Sequence, residues 1–577
     1  MSFVEVTLFL VAVIGVIALG ILKSRDNVSA SSGASDYFLA GRGLSWWLVG
    51  FSLIAANIST EQFVGMSGSA ANWLGMAIAS YEWMAAVTLV IVGFWFLPRF
   101  LKAGLYTIPE FLEYRFGVIA RMVMAIPAVV TLVFVATSSV IFSGAKFVSE
   151  YYDTIPVLNN LTAMCWFIAI FAAVYVFIGG LKACAWTDLI WGSALILGGA
   201  VVMVLAFNTL AEKPAAELYE TKVANADITV EDLEQANAWE RFILLNDGKE
   251  GEAVAQPGPN GSGGKLHMIR PIEDSDIPWT ALLVGLWIPN FFYWGLNQYI
   301  VQRTLGSRSL AEGQKGIVFA AVLKLVIPFV VVIPGILAYN LFSQDLLNAA
   351  TGEYDYDRAF PVLARNLVKP YPLISWFVLA ALCGAVISSL ASMLNSASTI
   401  ATMDLYSKFT GEKNPHKQVI VGRILVVVFV LMAALVAPML NDLKSIFAYI
   451  QEFQGFISPG ILAVFIFGFF SPRTPKFFGA LGIAVNAVSY GAFKWLIGPW
   501  LTDNGWWFSD QIAFLDRMAI CFFLVVLIGL IVTVTHPLKK PVTMPENKEI
   551  ALEPSQGAKW AGVGVIIATI ALYAIFW

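Results

Sequence analysis

The chain has 577 residues, 58% of them hydrophobic and 13% charged, with a formal net charge of −4 and a mean hydropathy of +0.75. Soluble domains carry about 25% charged residues, so this composition excludes an ordinary water-soluble fold. The small net charge does not suggest a nucleic-acid partner. Cys165, Cys184, Cys383 and Cys521, at unrelated spacings beside apolar runs, suggest neither a disulfide framework nor a metal site.

Apolar runs of 18 or more residues recur, the signature of spanning helices. The first, residues 6–22, is preceded by Glu5 and followed by Lys23 and Arg25. It therefore reads as a helix of the mature protein and not as a secretion signal. Fourteen spans are predicted, centred near residues 14, 58, 87, 134, 170, 198, 289, 329, 388, 429, 457, 486, 523 and 567. The second contains SLIAANISTEQFVGMSGSA (52–70), which sets Asn57, Ser59, Thr60, Glu61 and Gln62 at membrane depth. Glu61 is expected to have a structural partner. The third places Glu82 in SYEW.

Between the sixth and seventh spans, residues 212–277 hold 14 acidic and 6 basic residues, with GPNGSGG at 258–264. They read as a solvated, acidic extracytoplasmic loop. The seventh span, LWIPNFFYWGLNQY, is expected to break at Pro289-Asn290, with Asn297-Gln298 beyond. The eighth buries Lys324, the ninth reads AVISSLASMLNSAST, and the eleventh YIQEFQGFISPG. Basic residues concentrate in alternate connections, among them Arg99/Lys102/Arg115, Arg303/Arg308/Lys315 and Arg473/Lys476. These are assigned to the cytoplasm, so both termini are expected outside. The histidines, His267, His416 and His536, fall in polar connections, and the tail 537–558 is too short to fold alone.

Spans two and seven each open a block of five and each carries an interruption. An odd block length inverts the second block. The expected fold is an all-α integral membrane protein of about 14 helices with a core of two inverted five-helix repeats. The repeats are placed at 36–211 and 278–470, between a first helix and linker (1–35) and peripheral helices (471–577).

Buried charges cost roughly 2.5–3.5 kcal/mol even on the lenient insertion scale, so Glu82 and Lys324 need a wet cavity or each other. With Asn57, Gln62, Asn290 and Gln451 they describe a polar cavity. Neutral amides suit a solute with many hydroxyls, and Tyr293 and Trp294 offer flat faces to a pyranose ring. The hydroxyls of Ser388 and Ser389, with carbonyls freed around Ala55–Ile58, suit a hard monovalent cation, and sodium fits better than a proton. The serines of span nine have a plainer reading too, as bonds back to helical carbonyls or as close helix packing.

The strings SLIAANIS, ASYEW, GGLKACAWTD, NQYIVQRTL, QKGIVFAA, ISSLASMLNS and YIQEFQGFISPGILAVF resemble the solute:sodium symporter family, above all its sugar branch, over about residues 36–470. The resemblance implies a LeuT-like core working by alternating access, with sodium co-transported. It implies sodium ligation by carbonyls of Ala55, Ile58 and Ala385 and hydroxyls of Ser388 and Ser389, with Asp188 acting on coupling from behind. It implies sugar contacts at Asn57, Gln62, Glu82, Asn290, Lys324 and Gln451. Tyr293 would be the inner gate, supported by Trp294 and Asn297, with Met66, Tyr81 and Phe447 closing the outer side.

Three positions depart from the pattern. Ala85 stands where the sugar branch has a serine, Pro289 replaces a small residue, and Ala391 lacks a serine seen in members using two sodium ions. The resulting expectation is sodium-driven symport of a galactose- or glucose-type monosaccharide through the cytoplasmic membrane. Its partners are sodium, the sugar and the lipid bilayer, with no obligate protein partner. A carrier of inositol or sialic acid, or a non-transporting sugar sensor, is the alternative. An enzyme is not expected.

Overall fold

Backbone groups in hydrocarbon have no water to bond, so long apolar runs are satisfied as helices. The computed structural model describes residues 3–25, 39–153, 155–224, 226–248, 264–348, 352–443, 445–509, 511–547 and 550–577. Among these, extended pairing is confined to isolated bridges such as Leu44 with Ser307; everything else regular is helical.

Among the described residues, nine helices are long and apolar enough to cross a bilayer, or ten if Ile446–Gly455 and Ser458–Phe470, bent by 44°, form one span. Fourteen crossings were expected; the remaining centres fall on or beside the shorter apolar helices Thr7–Gly20, Trp46–Asn57, Leu161–Phe177 and Ala281–Leu296. Two of these are short for a structural reason. Trp46–Asn57 stops where Ile58 turns extended, and Trp287–Leu296 stops where Asn297 turns extended. The second break is therefore at Asn297, not at Pro289-Asn290. A π-helical turn, Ala281–Gly285, precedes the proline, and Asn290 Nδ2 donates to Leu286 O at 3.0 Å. The missing proline N–H is absorbed there without ending the helix.

The helical run Leu161–Glu212 has 52 residues and would be about 78 Å long if straight. It is not straight. The Tyr175 hydroxyl lies 2.8 Å from the Thr187 hydroxyl, whereas a straight helix separates residues twelve apart by about 18 Å. The chain folds back between them, giving the two antiparallel stretches expected near 170 and 198.

Burial separates core from periphery. The apolar window of Pro372–Thr410 is 89% buried and that of Leu310–Leu346 67%, against 22% for Phe514–Thr535 and for Gln556–Ile575. The last two present exposed Leu527, Ile531, Val534, Ile567 and Ile570, the surface a lipid-facing helix needs. Close crossings are made at glycine. A Cβ at Gly335 would stand 2.2 Å from Ser67 O, so the Leu310–Leu346 helix touches the backbone of Ser67–Ala71, beyond the first break.

Two faces can be told apart by contacts. The tail after Thr535 runs along one of them: Leu538 N bonds Arg473 O, Asn547 N bonds Lys102 O and Leu310 N bonds Ala551 O. On the other, Met268 N bonds Phe576 O and His267 Nδ1 lies 2.8 Å from Trp577 O.

The acidic segment is not the solvated loop expected from its composition. It folds into helices Ala215–Tyr219, Val230–Gln235 and Ala238–Asn246, the last two opened by capping boxes at Thr229 and Asn237. Leu218, Leu233, Phe242 and Leu245 are buried. Arg241 donates to the carbonyls of Leu210, Ala211, Lys213 and Leu233, closing the end of the preceding helix. Asn246 Nδ2 ties the cap to Asn340 Oδ1 at 2.8 Å. The GPNGSGG string lies outside the described residues except for Gly264. Next to it, Lys265 is 1% exposed, donates to Ala71 O at 2.7 Å and lies 3.7 Å over the Tyr339 ring. Its carbonyl accepts from Met76 N at 2.6 Å. Gly75 sits at φ +53°, where a Cβ would lie 2.1 Å from Lys265 O.

Candidate substrate and ion site

The first break is built by side chains that take over backbone bonds. Ser59 N–H, which would donate to Ala55 O in a continuous helix, donates to Gln62 Oε1 at 2.9 Å. Gln62 N–H, the regular partner of Ile58 O, turns to Ser59 O at 3.2 Å. The carbonyls of Ala55 and Ile58 are thereby released from the helical ladder, the two positions named for sodium. Glu61 N–H bonds Ser59 Oγ at 3.2 Å, and a π-turn, Gln62–Met66, follows.

Ser389 faces this break. Its hydroxyl donates to Ala55 O at 3.4 Å, linking the two elements expected to share the ion. Ser388 donates to Asp188 Oδ1, so its oxygen lone pairs stay available. Ala385, one turn earlier, is 1% exposed. The plain reading of the span-nine serines holds for Ser392, Ser398 and Thr399, which bond carbonyls of Ser388 and Asn395. It does not hold for Ser388 and Ser389. Neutral oxygens such as the Ala55 carbonyl and the Ser389 hydroxyl beside it suit a hard cation such as sodium, the cargo expected there.

Behind these groups lies a buried pair. Arg303 Nη2 is 3.3 Å from Asp188 Oδ2, both side chains fully enclosed. Ser52 also donates to Asp188. Arg303 in turn bonds Ser52 O at 2.9 Å, Ser52 Oγ at 2.7 Å and Ser392 Oγ. Arg303, expected in a basic connection, lies instead within the helix Gln298–Leu305 and is buried there, where it anchors Asp188. Ser52, Arg303 and Ser392 were not recognised as site residues. The available signal was an arginine one turn after Tyr299 in a helix starting directly at the Asn297 break.

The polar cavity is lined by Asn57, Glu61, Gln62, Glu82, Asn290, Tyr293, Trp294, Asn297 and Gln451, with Met66, Tyr81 and Phe447 at one end. Lys324 is 0% exposed and is not part of the lining. It pairs with Glu82, donates to Asn57 Oδ1 and lies 4.8 Å from the Trp294 ring. The alternative raised by the sequence, a mutual Glu82–Lys324 ion pair, is what forms. Asn57 Nδ2 continues the chain to Tyr293 Oη at 2.9 Å, which also accepts from Tyr299. Tyr293 packs edge-on against Trp294 and Tyr299. At the opposite end Tyr81 and Phe447 meet edge to face, centroids 4.9 Å apart. A second cavity lies beyond this pair, toward Trp73 and Asp276. Glu61 departs from expectation: its Oε1 is buried with no hydrogen-bond partner.

Comparison with known proteins places this geometry. The sequence model described as "Sodium:solute symporter family" matches residues 37–483. A sodium/glucose cotransporter of Vibrio parahaemolyticus is 37% identical over 591 residues, covering 100% of this chain and 99% of that protein. An uncharacterized symporter of Escherichia coli (strain K12), YidK, is 31% identical, covering 100% and 90%. The human sodium/glucose cotransporter 4 is 30% identical over 82% of this chain and 66% of its own length. The solved substrate-bound, outward-open structure of a Na+-coupled sialic acid symporter superposes with a TM-score of 0.69 at 20% identity, covering 94% of this chain and 99% of that one. That likeness establishes the fold, a LeuT-like helical core. The chain belongs to the sodium:solute symporter family.

Proposed function

We propose that the protein moves a galactose- or glucose-type monosaccharide across the cytoplasmic membrane together with sodium, by alternating access, without altering it chemically. The observation that carries this reading is the shared wall. One broken helix frees the Ala55 and Ile58 carbonyls, the first of which accepts from Ser389, while Asn57 and Gln62, on the same break, line the polar cavity. An ion that orders the break also positions the amides that hold the solute, which is a direct route to coupling. The name of the Vibrio relative points to the same solute.

In this reading Ala55, Ile58, Ala385, Ser388 and Ser389 hold sodium, and Asp188, held by Arg303, orients Ser388. Asn57, Gln62, Glu82, Asn290 and Gln451 meet the sugar, with Lys324 setting Glu82 and Asn57 from behind. Tyr293, braced by Trp294 and Asn297, gates the inner side, and Met66, Tyr81 and Phe447 the outer. The core comprises inverted repeats at 36–211 and 278–470, with 14 spans, both termini and the acidic cap outside, one sodium per sugar, and no obligate protein partner. The cavity lining carries two acids and no base among the described residues, which disfavours an anionic sugar acid.

Uptake of labelled hexose by proteoliposomes holding the full chain tests the reading. Uptake should require an inward sodium gradient; equal uptake driven by potassium would overturn it. Competition among galactose, glucose and inositol at saturating sodium ranks the solutes.

A further inference from the structure

Where three helices end together, the protein carries positive charge that no carboxylate matches among the described residues. On the face crossed by the tail, the Arg99 guanidinium lies 5.4 Å over the Phe470 ring. That contact brings the end of Gly75–Ala103 against the end of Ser458–Phe470. Thr474 Oγ1 lies 2.8 Å from Thr533 Oγ1, which adds the end of Phe514–Thr535. Leu538 N–H donates to Arg473 O at 2.8 Å, so Lys539 and Lys540 follow directly beside Arg473. Arg99, Arg473, Lys539 and Lys540 are all exposed, and none forms an ion pair among the described residues. Carboxylates close by are committed elsewhere: Glu546 to Lys102 at 2.8 Å, and Glu113 to Arg121 and Lys408. Beneath the turn after Phe470, Arg115 is buried. Its Nη2 donates to Ser471 O and, at 3.1 Å, to Thr474 O, while Nε and Nη1 have no partner. A guanidinium keeps its proton when enclosed, so Arg115 adds positive potential from behind.

The same corner is apolar toward the bilayer. Trp95, Phe470 and Val534 are exposed. Trp95 stands one turn before Arg99, and its ring lies 6.0 Å from that of Phe470. Cations within a turn of lipid-facing rings lie at headgroup depth, where the abundant anion is a lipid phosphate. We infer that this corner binds an anionic phospholipid, its phosphate taken by Arg99 and Arg473 with Lys539 and Lys540 alongside, and its acyl chains against Trp95 and Phe470. A choline headgroup brings its own cation and is the poorer match. The inference does not depend on which solute the cavity carries.

Native mass spectrometry of the purified full chain in mild detergent tests this, comparing dioleoyl phosphatidylglycerol with dioleoyl phosphatidylcholine. The anionic lipid should be preferred. Arg99→Gln and Arg473→Gln should each weaken its binding about fivefold, and the two together roughly thirtyfold, with the choline lipid unaffected. Arg99→Lys with Arg473→Lys, which keeps both charges, should retain most of the preference. Arg308→Gln removes one charge from the same face, but one already paired with Glu312 at 3.2 Å; it should leave binding within about twofold of native. Sodium phosphate, compared with sodium chloride at equal ionic strength, should not displace the lipid. The inference is overturned if phosphatidylglycerol is not preferred, or if the double glutamine variant binds it as the native protein does. It is equally overturned if Arg308→Gln weakens binding as much as Arg99→Gln, which would make the attraction a matter of net charge. Displacement by inorganic phosphate would assign the cations to a free anion instead of a lipid.

Discussion

Asp188→Asn should loosen sodium before it loosens sugar. In the native protein the Asp188 carboxylate accepts from Ser388 and Ser52 and lies 3.3 Å from Arg303. Because Ser388 commits its proton to a full negative charge, its oxygen is held as an acceptor for the ion. Hydrogen bonds to charged groups contribute about 1.5–3 kcal/mol and neutral ones about 0.5–1.5, so the amide forfeits about 1–2 kcal/mol of this orientation. That corresponds to a roughly five- to thirtyfold rise in half-saturating sodium. Arg303, left enclosed without its counter-charge, should lower thermal stability as well, because removing one partner of a buried pair is strongly destabilising. Sodium titrations of hexose uptake in proteoliposomes, at saturating sugar, read the first effect, and melting of the purified protein reads the second. A variant whose half-saturating sodium stays within about twofold of native, while its sugar KM rises, would refute the reasoning.

Ser389→Ala should weaken sodium dependence and Gln62→Ala mainly sugar affinity, checked by the same two titrations; lesions confined to the sugar constant in both would misplace the ion site. Lys324→Ala strands Glu82 in the cavity wall and should abolish uptake with a large loss of stability, about 3–5 kcal/mol by analogy with other buried pairs. Pairing it with Glu82→Gln should recover most of the melting temperature but not transport. Lys265, outside the spans, has its pKa lowered to about 7 by burial, against about 10.4 in an unfolded chain. Below pH 7 the folded state carries the enclosed charge at full cost, and that cost disappears as pH rises toward 10.4. Thermal stability should therefore climb across this window, and Lys265→Met should flatten the climb. Gly335→Ala, whose Cβ would meet Ser67 O at 2.2 Å, should lower the melting temperature markedly, as overpacking does.

Membership in a helical membrane class was legible from the sequence because hydrocarbon imposes one rule everywhere: apolar runs long enough to span, with backbone bonds closed inside each run. The polar strings were legible for the complementary reason. Asn57, Gln62, Glu82 and Lys324 are too costly at membrane depth to be there without partners or water. What lay between residues distant in sequence was not legible. Arg303 is 115 positions from Asp188, and a basic residue after a span looks the same whether it faces cytoplasm or a buried carboxylate. Pro289 signals a break by itself, yet a π-turn upstream accommodates it and Asn297 takes the break instead. The acidic stretch has the composition of a solvated loop, but four buried apolar side chains and Arg241 fold it onto a helix end. Composition and local pattern determined where polar groups had to be satisfied. Only the tertiary structure decided what satisfied them, because each partner is chosen by distance in space. That choice left Lys324 matched to Glu82 and the Glu61 side chain lining the cavity with its Oε1 unpartnered.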